Sequence, residues 1–225
     1  MKLLRAHGLG NVYLVLTEGG PLTPDQVRAL CHPATGIGSD GILEPVRADD
    51  ADAGVRIYNP DGSIAEKSGN GLRIFAAWRD REGQTSPMTL WTGFDTVSAT
   101  VSGRSVRVQM GRARTDPSSL PLDAPAPIVG ATLPAPAPHV PAVCVSMGNP
   151  HCVLFVDDVD AVPWQAWGAA IETHPAFPNR TNVQVATVHA DHIAIRIWER
   201  GAGVTPASGS SACAAAVAAV LTGRA

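Results

Sequence analysis

Arg56-Ile57-Tyr58 and Ser68-Gly69 return as Arg196-Ile197-Trp198 and Ser208-Gly209, each 140 residues later. A third pair precedes them in the same order. Leu9-Gly10-Asn11 followed by Leu14-Val15-Leu16 is answered by Met147-Gly148-Asn149 followed by Val153-Leu154-Phe155, with the two asparagines 138 residues apart. Three matches in one order at nearly one spacing read as an internal duplication. The period is too long for a solenoid, whose repeats run to roughly 20–50 residues. A duplicated chain of 225 residues is expected to fold as two similar lobes with a ligand between them.

Each Ser-Gly step heads an apolar run. After Ser68, the positions Leu72, Phe75, Ala76 and Trp78 follow a helical period; after Ser208, an Ala/Val run continues to Leu221. Small residues at a helix start leave the first backbone N–H groups bare, and such an end binds anions such as a carboxylate. Two facing ends of this kind form a cradle for a small carboxylate ligand, each dipole contributing roughly 0.3–1 kcal/mol in an exposed setting. Opposed side chains on either face of a carbon suit two-base proton transfer. One takes a proton and the other returns one, which inverts a stereocentre without a cofactor.

Composition narrows the alternatives. At 45% hydrophobic the chain can bury a core. A net charge of −3 gives no reason to expect nucleic acid or an anionic membrane surface. No apolar run of about 20 residues predicts a transmembrane helix, and the N-terminus enters a strand pattern without a signal-peptide pattern. Cys31, Cys144, Cys152 and Cys213 form no C-x-x-C pair and sit in apolar settings, as reduced thiols of a cytoplasmic protein do. The seven histidines include no H-E-x-x-H or close ligand cluster, so no metal is expected.

Along the chain, 2–7 and 12–16 read as strands around the turn Gly8 to Asn11. Thr23-Pro24 opens a helix to Cys31 with Thr23 as N-cap. Strands are expected at 42–46 and 55–58, the latter ending at Asn59-Pro60-Asp61-Gly62. A loop at 63–67 then delivers a helix over 69–82, with strands at 88–91, 96–101 and 105–110. The Pro/Ala-rich stretch 112–142 is expected to start a second domain with irregular edge strands, giving domains 1–115 and 116–225. Strands at 142–146, 152–156, 183–188 and 193–198 and helices from Pro163-Trp164 and from Ser208 complete the second lobe. No strand follows the last helix, so that lobe reads as shortened at its C-terminus.

These motifs resemble those of the pyridoxal-phosphate-independent diaminopimelate epimerases, over the whole length and in the same order. That family carries His-Gly-Leu-Gly-Asn, Asn-x-Asp-Gly-Ser, Cys-Gly-Asn-Gly, Gly-Asn-Pro-His, Glu-Arg-Gly-Ala-Gly and Ala-Cys-Gly-Ser-Gly-Ala-Cys. The matching stretches are His7 to Asn11, Asn59 to Ser63, Ser68 to Gly71, Gly148 to His151, Glu199 to Gly203 and Ala207 to Cys213. The resemblance implies an α/β (α+β) fold of two pseudo-symmetric lobes, each a curved mixed or antiparallel sheet around a central helix, often as a homodimer. It implies no cofactor. It assigns Asn11, Asn59, Asn149 and Asn182 to the polar groups of a small amino-acid substrate, and Glu199 and Arg200 to its α-amino and carboxylate ends. Gly69, Asn70, Gly209 and Ser210 would present backbone N–H groups to the α-carboxylate. His151 would stand beside the first catalytic position, and Glu199 would assist at the second.

By the same resemblance, the family's two catalytic cysteines are Ser68 and Ser208 here. A free thiol titrates near 8.5 and falls to about 3.5–7.5 at a helix N-terminus, whereas a serine hydroxyl is much less acidic. Cys213 does not obviously substitute, lying roughly 140° round the helix from Ser208. Cys152 should face away from His151. Val12 stands where the family has Asp, Gly41 where a substrate-loop Gln is usual, Pro206 for Gln, Val204 for Glu and Ser211 for Gly. An engineered cysteine-to-serine pair would leave these accompanying changes unaccounted for, so the pattern reads as natural divergence. The leading expectation is epimerisation of LL-2,6-diaminopimelate to the meso form, weakened or lost with the thiols. The alternatives are a related amino-acid racemase, isomerase or dehydratase on the same fold, and a catalytically dead amino-acid-binding homologue.

Overall fold

The computed structural model describes residues 1–133 and 138–225. The Pro/Ala-rich stretch read at 112–142 therefore lies partly outside the described residues. The chain divides into two compact units, Met1–Met110 and Gly111–Ala225. Arg114 already exchanges backbone hydrogen bonds with Ser146 of the second unit (3.0 and 2.8 Å).

The first unit holds β1 (Lys2–Gly8), β2 (Asn11–Glu18), β3 (Ile42–Val46), β4 (Ala53–Tyr58), β5 (Ile64–Ala65), β6 (Met88–Trp91), β7 (Thr96–Ser102) and β8 (Ser105–Val108). They form one sheet in the order β1-β2-β3-β4-β6-β7-β8, with β5 paired to β4. The β2–β3 and β4–β6 pairs are parallel. Helix α1 (Pro24–Cys31) starts as read from sequence, with Thr23 and Gln26 forming a reciprocal capping box. Helix α2 (Gly69–Arg81) packs on the other face of the sheet. Alternation along β2 divides its side chains between two cores. Leu14 and Leu16 join Val27, Ile42 and Tyr58 on the α1 side. Tyr13 and Val15 join Leu43, Ile57, Leu72 and Phe75 on the α2 side.

The second unit repeats this plan. It holds β9 (Val129–Thr132), β10 (Pro141–Ser146), β11 (Pro150–Phe155), β12 (Asn182–Val188), β13 (Ile193–Glu199) and β14 (Gly203–Thr205), with α3 (Trp164–Glu172) and α4 (Gly209–Leu221). The sheet order is β14-β13-β12-β11-β10-β9. As in the first unit, an antiparallel pair (β10–β11) is followed by a parallel one (β11–β12) and two antiparallel ones. Cys152, Leu154, Val183 and Val185 meet Ile171 of α3. The opposite face carries His151 and Gln184, and Gln184 Nε2 donates to Ser211 Oγ of α4 at 3.0 Å.

The registers align the repeats residue by residue. Leu14 lies opposite Ile42, which lies opposite Tyr58. Cys152 lies opposite Val183, which lies opposite Trp198. The two aromatic residues are held alike. Tyr58 OH donates to the buried carboxylate of Glu44 (2.9 Å), and Trp198 Nε1 to that of Glu172 (2.7 Å). The loop read at 63–67 and the stretch after Glu199 each contain a short strand. Ile64–Ala65 and Gly203–Thr205 are the short arms of hairpins with β4 and β13, too brief to show an alternating pattern.

Candidate active site

Each unit brings one set of motif residues to the head of its second helix. In the first, Ser68 is the N-cap of α2, and its Oγ accepts from Gly71 N–H at 3.1 Å. A Cβ on Gly71 would stand 3.2 Å from that Oγ and 3.0 Å from Leu43 Cδ2, so glycine keeps the cap compact. Tyr13 OH lies 2.8 Å from the same Oγ. Asn11 enters β2 two residues before Tyr13, on the same face, after a turn in which Leu9 and Gly10 have positive φ (55° and 87°). Its Oδ1 accepts from Asn70 Nδ2 at 3.4 Å, and Asn70 Oδ1 accepts from Arg73 Nη1 at 2.8 Å. Asn11, Ser68, Gly69 and Asn70 are thus assembled together. Asn59 lies in the β4–β5 turn, where its amide donates to Ser63 Oγ at 2.9 Å.

In the second unit Ser208 is the N-cap of α4, but its cap is looser. Ser211 N–H reaches Ser208 Oγ at 3.5 Å, and Ser210 Oγ lies 3.4 Å away. Neither helix carries an acidic residue in its first turn, so both ends retain the anion-binding character of bare N–H groups. Asn149 and His151 flank Pro150. Asn149 Oδ1 is 3.0 Å from His151 Nε2, which gives Nε2 the proton if the oxygen is the acceptor. His151 is fully buried, and its Nδ1 has no hydrogen-bond partner among the described residues. Burial pushes its pKa from the usual 6.5 to about 3; Gln184 opposes the shift and the Arg200 charge adds to it. At neutral pH it is therefore an uncharged imidazole with a bare nitrogen.

The Glu199–Gly203 loop is fixed from beneath. Asn182 Oδ1 accepts from Arg200 N–H at 3.0 Å while its Nδ2 donates to Pro150 O at 2.8 Å. Glu172 Oε1 accepts from Gly201 N–H at 2.7 Å and pairs with Arg180. Asn149, His151, Asn182 and Arg200 form a second assembled group. Cys152 takes the α3 side of β11 beside Cys144, and Cys144 and burial push its thiol up. Sequence reasoning missed Tyr13, Arg73, Glu172 and Gln184. Tyr13 is a single aromatic in an apolar strand, and the other three lie beside the motifs or outside them. Among the described residues no group of three or more His, Cys, Asp or Glu side chains could hold a metal.

Comparison with known proteins gives one consistent family. A model of the family "Diaminopimelate epimerase" matches residues 3–115 and 143–225. The chain is 40% identical over 236 residues to the diaminopimelate epimerase of Desulforudis audaxviator, covering 100% of this chain and 85% of that one. It is 44% identical over 237 residues to that of Rhodospirillum centenum, covering 100% and 80%. Among solved structures, it is similar to a hydroxyproline epimerase from Agrobacterium vitis, with a TM-score of 0.68 at 18% identity over 99% of this chain and 77% of that one. A probable proline racemase from Agrobacterium radiobacter gives 0.66 at 19% identity, covering 99% and 78%. At these identities the structures support the fold alone.

Proposed function

We infer a function from one premise: the chain belongs to the diaminopimelate epimerase family. We propose that it is an amino-acid epimerase acting on LL-2,6-diaminopimelate, inverting one α-carbon to the meso form without a cofactor, in lysine and peptidoglycan precursor synthesis. The observation that supports this most is the repeated helix head. Two helices, Gly69–Arg81 and Gly209–Leu221, each begin at a serine whose oxygen accepts the cap hydrogen bond, within a chain that matches epimerases end to end.

In this reading the N–H groups of Gly69, Asn70, Gly209 and Ser210 hold the α-carboxylate, and Asn11, Asn59, Asn149 and Asn182 hold the remaining polar groups. Glu199 and Arg200 orient the amino acid. Ser68 and Ser208 exchange the α-proton. Glu199 supplies basicity that the hydroxyls lack, while His151, neutral and with a bare Nδ1, offers a hydrogen-bond acceptor beside the first catalytic position. A general acid or base contributes typically 10²–10⁴ in rate, so a serine pair in place of the family's cysteines makes for slow turnover. On the same family grounds we propose a cytoplasmic homodimer; no helix among the described residues is long and apolar enough to cross a membrane.

The test is α-proton exchange of diaminopimelate in D₂O, followed by NMR, for the native chain and for Ser68→Cys/Ser208→Cys. Slow exchange by the native chain, raised about 10²-fold or more in the double variant, is the expected result. Exchange by the double variant alone identifies an amino-acid-binding homologue that lacks its acid–base pair. No exchange by either chain removes diaminopimelate as the substrate and favours another amino-acid racemase, isomerase or dehydratase.

A further inference from the structure

The sheet registers give His151 a counterpart. Leu14 and Cys152 occupy the same place relative to the neighbouring two strands, so the residues one step before them, Tyr13 and His151, are equivalent. Both lie on the face of the sheet that carries the serine-capped helix. Tyr13 is nearly buried, at 6% exposure. Its hydroxyl oxygen lies 2.8 Å from Ser68 Oγ, an oxygen that also accepts from Gly71 N–H. The surroundings keep the ring in place. Asp40 Oδ2 accepts from Val12 N–H at 2.6 Å, and Leu14 N–H donates to Gly41 O at 3.1 Å. A Cβ on Gly41 would stand 2.6 Å from Tyr13 Cε1, so a side chain at 41 would displace the ring.

We propose that Tyr13 is the proton-relay partner of Ser68, supplying through the hydroxyl the acidity that a thiol would otherwise provide. This rests on the epimerase reading above. Tyr13 does not touch the substrate; it acts through Ser68. A phenol titrates near 10, well below an isolated serine hydroxyl, and hydrogen-bonded groups at this separation exchange protons readily.

The base at the second catalytic position, Glu199 acting through Ser208, has taken the α-proton from the other face, and the α-carbon carries the electron pair. The Ser68 O–H bond breaks and a Cα–H bond forms from that pair. The Tyr13 O–H bond breaks in concert and restores the Ser68 O–H. The charge ends on the Tyr13 phenolate. In the reverse direction the phenolate takes the proton from Ser68 as Ser68 takes it from the α-carbon. The relay is therefore a single-proton unit whose two states serve the two directions of one epimerisation.

A buried tyrosine also needs a hydrogen-bond partner for packing reasons alone, and the test separates the two roles. Tyr13→Phe keeps the ring. It is expected to lower kcat for diaminopimelate by about 10–100-fold with KM changed less than about threefold. In a Ser68→Cys background, where a thiol carries its own acidity, the same change is expected to cost at least about tenfold less. Equal losses in the two backgrounds, or no loss in the Ser68 chain, overturn the proposal. Should Tyr13→Phe not fold, 3-fluorotyrosine at position 13 retains both ring and hydroxyl, and its effect on kcat must again be larger with Ser68 than with Ser68→Cys. If the native chain exchanges no α-proton of diaminopimelate, the relay is overturned. Exchange by Ser68→Cys/Ser208→Cys then shows that substrate recognition stands without it, whereas silence in both chains means that the epimerase reading has failed as well.

Discussion

Glu172 shows how one buried side chain can organise a site it does not enter. Its carboxylate accepts from Gly201 N–H and from Trp198 Nε1, both at 2.7 Å, and pairs with Arg180. Glu172→Ala strands those donors, so a loss of about 3 kcal/mol is expected, read as a lower urea midpoint. Glu172→Gln retains one acceptor oxygen and should lose less; equal losses would mean that packing, not hydrogen bonding, holds the loop. His151 gives a second prediction. Its pKa is depressed from 6.5 to about 3, so the native state binds fewer protons than the unfolded chain in that window. The stability it contributes is complete above about 6.5 and is lost as pH falls toward 3, at up to about 1.4 kcal/mol per pH unit. Urea titrations of the native chain and of His151→Gln should therefore diverge in slope between these pH values and run parallel above them. Neither Glu172 nor Tyr13 was legible beforehand. A glutamate ending an apolar helix reads as solvent-facing, and a tyrosine in an apolar strand reads as core. Only the three-dimensional partners distinguish them.

At the scale of elements, the two serine caps are not equal. Ser68 Oγ accepts at 3.1 Å and pairs with Tyr13, whereas Ser208 Oγ is reached only at 3.5 Å. Ser68→Ala should cost about 1–2 kcal/mol, the upper range for a lost cap, and Ser208→Ala about 0.5 kcal/mol, its lower end. Chemical denaturation of the two variants checks the order; a reversed order would mean that α4 depends on its cap more than the geometry shows. The helices themselves were legible because their signals are local: Thr23-Pro24 before α1, and Ser-Gly before α2 and α4. Strand β3 was legible at Ile42–Val46 because the apolar Ile42, Leu43 and Val46 lie just after the glycine-rich loop that ends at Gly41. Strands β5 and β14 were not, because two or three residues carry no period and their pairing is decided by β4 and β13. The turn asparagines were legible as a motif, yet Asn59 donates to Ser63 within its own hairpin, a detail set by the Asx geometry around Asp61 rather than by spacing.

For the whole molecule, the duplication makes each unit a control for the other. The same order of strands and helices recurs, but the second helix is treated differently. In the first unit β7 and β8 continue the sheet against α2, and Leu72 and Ala76 are buried. The positions 140 residues on, Ala212 and Ala216, are exposed on α4, and Val220 and Leu221 are 65% and 47% exposed. Burying a leucine contributes about 1.5–3 kcal/mol, and local opening energies follow such packing. Each 1.4 kcal/mol is about a factor of ten in an opening equilibrium, so α4 amides should exchange with solvent roughly 10–100-fold faster than those of α2. Native-state hydrogen exchange resolved by residue makes the comparison within a single sample, under one pH and temperature. Equal protection along both helices would mean that α4 is covered in solution by something it does not touch here. Faster exchange confined to its last turn would assign the difference to fraying. Faster exchange beginning near Ala212 would mean that the open face loosens the helix from the end that presents Ser208, and so that the two halves of the repeat hold their serines with unequal rigidity.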